Sequence, residues 1–226
     1  MLKTVILHGK RAVPDEPSPR VGREHAELWT GYMGVHDDWT RRFDPHPVEH
    51  TKHYPDGIKG RRPDVWEYYK GLPPVTMKPD RFSQRYAPST WDGRPVYLLE
   101  QHPEVPASLA YPLDLFTRRA QLRMTCTVDM QMALAVEEEF KHIILHNIGL
   151  ITDEWETTAL NPEWQMRHKG ILYWIGVCEA AGVTVDVEGD SIFAPSGKVY
   201  GHETCGRDFG VAQRRYFTGG KRGKTR

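Results

Sequence analysis

Apolar residues along this chain fall into two periods. Short β-branched or aromatic runs predict strands at residues 4–7 (TVIL), from 27–29 (ELW), 39–43 (WTRRF) and 95–100 (PVYLLE), then at 142–146 (HIILH) and 184–187 (TVDV). Two longer segments follow the helical period instead. Residues 127–140 place Met130, Leu134 and Ala135 on an inner stripe, with Glu137, Glu138 and Glu139 at the exposed end. Residues 165–182 place Ile171, Trp174, Ile175 and Cys178 on one face, and Gly182 ends the helix. Shorter helices are expected at 64–69, capped by Asp64, and at 111–119.

The order helix, strand, loop, helix, strand over residues 124–203 matters more than any one element. Strands separated by crossover helices must pair in parallel, with right-handed connections. The expected fold class is therefore α/β: a Rossmann-like three-layer sandwich with a mostly parallel central sheet. Residues 1–206 read as one such domain, carrying an irregular, proline-rich insertion at about 50–92. Residues 207–226 hold nothing to bury and read as a flexible basic tail. No internal repeats are read in the sequence.

Composition refines this picture. Seven Trp, ten Tyr and seven Phe in 226 residues can fill a core, so general disorder is excluded. The formal net charge is zero, which removes any whole-chain argument for nucleic acid or membrane. The tail is the exception, with seven basic residues against Asp208 alone. Cys126, Cys178 and Cys205 are far apart, with no CxxC pair, as free thiols in a reducing compartment would be. The opening run MLKTVILHGK is too short for a signal peptide or a membrane span. A cytoplasmic protein is expected.

Polar residues cluster in the loops after the strands, where open α/β sheets bind ligands. Gly9 and Lys10 follow the first strand and could hold a nucleotide phosphate, or form a solvated basic loop. No GxGxxG or GxxxxGK[ST] pattern is present. Asp44 and His46 follow the third strand. They read either as a general base with its orienting carboxylate, or as a turn built by Pro45 and Pro47 with Asp44 capping the backbone. Thr125 and Thr127 precede a helix whose first N–H groups suit an anion; N-capping alone also explains a threonine there. The segment from His146 to His168 carries Asn147, Asp153, Glu154 and Glu156. Its spacing matches no zinc pattern, so no resident metal site is expected. Its carboxylates could meet a Mg²⁺ ion carried by a nucleotide, or simply be solvated. Ser191 and Ser196 lack a GxSxG context.

The runs TCTVDMQMALAVEEEFKHIILHNIGL, YWIGVCEAAGVTVDV and KVYGHE, with VILHG, ELWTGYM, WTRRFDPHP and PVYLLE before them, resemble a group of tailed-phage Rossmannoid proteins. These are similar to DUF115 and 6-hydroxymethylpterin pyrophosphokinase-like proteins and, more distantly, to Cst-type bacterial sialyltransferases. The resemblance covers roughly residues 4–203 outside the insertion. It implies a nucleotide-activated donor lying against Gly9 and Lys10, Asp44 and His46, Thr125 and Thr127, and Asn147. Two departures stand out: Asn147-Ile148-Gly149 replaces a GxD turn, and Gly31-Tyr32-Met33 replaces an asparagine segment. The implied activity is glycosyltransferase-like, with His46 or His168 taking the proton from an acceptor hydroxyl and Asp44 orienting His46. A phage origin would make modified DNA a candidate acceptor and the basic tail a nucleic-acid contact; self-association of the chain is a further partner expectation. Mg²⁺-dependent diphosphoryl or nucleotidyl transfer, and nucleotide binding without turnover, are the alternatives.

Overall fold

The computed structural model describes residues 3–9, 17–31, 37–52, 65–77, 91–148 and 162–188. Its centre is an open sheet of seven strands: β1 (Thr4–His8), β2 (Glu27–Gly31), β3 (Arg41–Phe43), β6 (Val96–Leu98), β7 (Ser108–Ala110), β8 (His142–His146) and β9 (Thr184–Glu188). They lie in the order β7-β6-β3-β2-β1-β8-β9, and every neighbouring pair is parallel. The expected α/β Rossmann-like sandwich is present, and within this sheet it is wholly parallel.

Strands β1, β2, β8 and β9 fall where the apolar runs predict them. The third is shorter than residues 39–43, because Trp39 leaves the ladder and packs into a core under the sheet. The edge strand β7 was not foreseen. It is three residues long, and its Ser108 hydroxyl bonds the Val105 carbonyl at 2.7 Å instead of projecting as an apolar side chain would.

Helix α4 (Thr127–Glu137) and helix α5 (Pro162–Ala180) cover one face of the sheet. They close over Val5, Leu7, Trp29, Phe43 and Tyr97 from the strands, with Ile171, Trp174 and Cys178 supplied by α5. Gly182 ends the α5 segment in the left-handed region at φ 74°. The other face packs Ile6, Leu28, Val96 and Ile144 against Trp39, Trp66 and Tyr69. There lie α1 (Val48–Lys52), which was not foreseen, and α2 (Val65–Lys70), which was.

The expected helix at 111–119 is broken in two. Leu113–Leu115 form a 3₁₀ turn, Phe116 is extended, and Thr117 then caps α3 (Arg118–Gln121). Among its described residues the span 50–92 holds regular elements: the end of α1, α2, and β4 (Thr76–Met77) paired antiparallel with β5 (Trp91–Asp92). The tail at 207–226 lies outside the described residues, as do Lys10, Gly149, Asp153, Glu154, Glu156, Ser191 and Ser196. No helix among the described residues is long and apolar enough to cross a membrane.

One further correction concerns the glutamates after α4. Glu138 is not at an exposed end; it is 6 % exposed and grips Arg41 with both oxygens, at 2.7 and 2.6 Å. Arg41 is fully buried, lies 4.5 Å above the Trp29 ring, and also meets Glu27 at 3.2 Å and the Tyr97 hydroxyl at 3.1 Å. Burial pushes the Glu138 carboxyl upward while the Arg41 guanidinium pulls it back. The helical period could not anticipate this, because the partner comes from a strand 97 residues away.

Candidate functional site

The chain builds the sheet outward from β1 through β2, β3, β6 and β7, then returns to place β8 and β9 on the other side of β1. The topological switch point therefore lies between β1 and β8, beyond their carboxyl ends. His8 and His146 end these two strands and stand opposite each other in register. Their Nδ1 atoms are 3.1 Å apart, with the rings stacked at 5.2 Å. One Nδ1 must donate its proton and the other accept it. The sequence held a signal for this meeting: both strands end in Ile-Leu-His, at residues 6–8 and 144–146.

Gly9 and Asn147 follow the two histidines. The Gly9 N–H donates to the His146 carbonyl at 3.0 Å, and the Asn147 N–H to the Glu188 carbonyl at 3.0 Å. A Cβ on Gly9 would fall onto the Asn147 carbonyl oxygen, so only glycine lets the two strand ends come this close. Asn147 itself is left-handed at φ 50°, a conformation asparagine tolerates better than most residues.

Two strands along, Asp44 follows β3 and is fully buried. Its Oδ1 meets His46 Nδ1 at 2.6 Å, and the His46 side chain is 30 % exposed. Its Oδ2 accepts from the Thr51 hydroxyl at 3.3 Å and the Tyr69 hydroxyl at 3.4 Å. The carboxylate holds the proton on Nδ1, which leaves Nε2 as the basic nitrogen. The turn reading of the same residues also has its bond, a long one, from the His46 N–H to Asp44 Oδ1 at 3.4 Å.

The start of α4 is organised around Asp129. Asp129 Oδ2 accepts from the Thr125 N–H and hydroxyl, both at 2.7 Å, and from the Cys126 N–H at 3.1 Å. A carboxylate of the chain itself thus occupies the donors that Thr125 would offer an outside anion. Burial lifts this carboxyl from 3.8 to about 6 despite those bonds. Thr127 is the first residue of α4, and its methyl lies 3.9 Å from where a Gly31 Cβ would stand, beside the end of β2. His168 sits half-buried on α5, which packs on the sheet face opposite to Asp44 and Tyr69, and burial lowers its pKa.

Gly9, Asn147, Thr127, Asp44 and His46 therefore gather along the carboxyl edge of one sheet. Thr125 is committed to Asp129, His168 is carried by a helix, and Lys10 lies outside the described residues. Among the described residues no cluster of three or more His, Cys, Asp or Glu could hold a metal ion. The carboxyl edge thus gathers imidazoles and close-set backbone, a chemistry suited to binding polar ligands and moving protons. Compared with models of known protein families, with curated proteins and with solved structures, the chain matches none.

Proposed function

We propose that this protein is a transferase that holds a nucleotide-activated donor at the β1–β8 switch point and passes a group from it to an acceptor hydroxyl. The observation that carries the reading is the Asp44–His46 pair, set at the end of a parallel strand two positions from the switch point. Asp44 holds the imidazole through Nδ1 and so leaves Nε2 as the nitrogen that takes a proton. His46 is exposed enough to reach an acceptor, whereas Asp44 is sealed in the core. His46 is thus the base that takes the acceptor proton, and Asp44 stabilises the imidazolium that results. Gly9 and Asn147 bring backbone close to the donor, and Thr127 borders the same edge. Positioning of the two reactants would supply much of the rate. The likeness to phage Rossmannoid proteins favours a glycosyl donor, with modified DNA as an acceptor.

A thermal-shift panel of nucleotide sugars, ATP, NAD and free nucleotides, with and without Mg²⁺, tests the binding half. A donor at a hundred times its Kd stabilises by about 2.7 kcal/mol, which raises the Tm of a chain this long by roughly 5–11 °C. A panel in which nothing shifts the Tm refutes donor binding. His46→Ala should keep that shift and reduce transfer at least a hundredfold, at the lower end of general-base contributions of about 10²–10⁴. Retained transfer removes His46 as the base.

A further inference from the structure

Parallel register aligns residues of neighbouring strands on one face, and it does so with unusual chemistry at the carboxyl edge. Glu188, His146, His8, Thr30 and Arg42 are successive cross-strand neighbours on β9, β8, β1, β2 and β3. One layer below, two residues back along the central strands, the same face presents Ile144, Ile6 and Leu28. The face thus changes from apolar to polar in a single step. Three members of the polar row are almost wholly buried: His8 at 2 %, Thr30 at 0 % and Arg42 at 1 %.

Thr30 is the member that packing and folding do not explain. Its hydroxyl is buried with no hydrogen-bond partner among the described residues. A buried hydroxyl left in that state is destabilising, and valine would fill the same space without the loss. The groups beside it are donors. Arg42 lies on one side, its guanidinium held 4.8 Å from the Trp39 ring and 5.1 Å from the Tyr68 ring. The His8–His146 pair lies on the other. The acid that ends the row on β9, and the one that follows Arg42 by two residues, both have partners. Glu188 is clasped by both terminal nitrogens of Arg23 at 2.8 Å, and Asp44 is held by His46, Thr51 and Tyr69. A hydroxyl donor between a guanidinium and a proton-carrying imidazole pair is the chemistry of an anion site.

We infer that Thr30, between His8 and Arg42, is the centre of a phosphoryl-binding subsite, which receives the phosphate of the donor on the sheet face away from α4. This rests on the reading of an activated-donor ligand and gives that ligand's phosphate a location other than the α4 start. The Thr30 hydroxyl donates to a phosphoryl oxygen, Arg42 supplies positive charge, and the histidine pair supplies a second N–H donor.

Inorganic pyrophosphate and UDP, titrated calorimetrically into the full chain, test it. Thr30→Val should raise the Tm of the ligand-free protein, because an orphan hydroxyl is removed, and weaken both probes by about 10- to 100-fold. Thr30→Ser should restore binding to within about threefold of the original. A Thr30→Val protein with unchanged affinity for both probes overturns the subsite while leaving donor binding at the switch point standing. A loss for UDP alone also overturns it, because the hydroxyl would then serve the nucleoside part. A lower Tm with unchanged affinity identifies Thr30 as structural. If neither probe binds the unaltered protein the subsite falls, and the donor reading falls with it only if the nucleotide panel is silent as well.

Discussion

Replacing Glu138 by glutamine should cost more than any exposed glutamate in this chain could. Both Glu138 oxygens bond Arg41, at 2.7 and 2.6 Å, with the two side chains 1 % and 0 % exposed. Removing one partner of a buried pair leaves the other charge desolvated and costs about 3–5 kcal/mol. Glutamine keeps the shape, and Glu27 at 3.2 Å still balances Arg41, so Glu138→Gln belongs at about 3 kcal/mol. Arg41→Met leaves Glu27 and Glu138 buried together and belongs at about 5 kcal/mol. For a chain of this length those costs lower the Tm by roughly 6–12 °C and 10–20 °C. Urea unfolding followed by tryptophan fluorescence measures both, with an unchanged m-value showing that the surface exposed on unfolding is the same. The double variant Arg41→Met/Glu138→Leu should recover part of the Arg41→Met loss. A Glu138→Gln cost below about 1 kcal/mol, the range of exposed ion pairs, would refute the reasoning. So would a cost above that of Arg41→Met.

Three further outcomes are expected. Asp129 titrates near 6 when folded, above its ordinary 3.8, so the stability supplied by its neutral form is complete below about pH 4 and lost as pH rises through about 6. That gap corresponds to at most about 3 kcal/mol. Asp129→Asn, whose side chain cannot ionise, should therefore gain on the unaltered protein as pH goes from 4 to 7, and parallel pH–stability curves would exclude the effect. Gly9→Ala forces a methyl onto the Asn147 carbonyl and should cost about 1–3 kcal/mol together with the donor-induced Tm shift; an unchanged shift would separate β1–β8 closure from binding. The Cys126 and Cys178 thiols are pushed up to about 12 by burial, so peptide mapping after brief alkylation at pH 8 should find both unmodified until the chain unfolds.

Hydrophobic period alone determined the long elements of the core, the two crossover helices and hence a parallel α/β sheet, while the short α1, β7 and the broken 111–119 segment escaped it. An apolar alternation of two or 3.6 is a local property, and a helix between strands leaves parallel pairing as the economical arrangement. The pairing of Asp44 with His46 was legible for the same reason, since the partners lie two residues apart. Strand order and register were decided only in three dimensions. They bring His8 against His146 across 138 residues, and Glu138 onto Arg41 across 97. They also line Thr30 up between His8 and Arg42, where each residue taken singly reads as an ordinary strand residue. Long-range register is a sum of packing over the whole core, so no window of the sequence contains it.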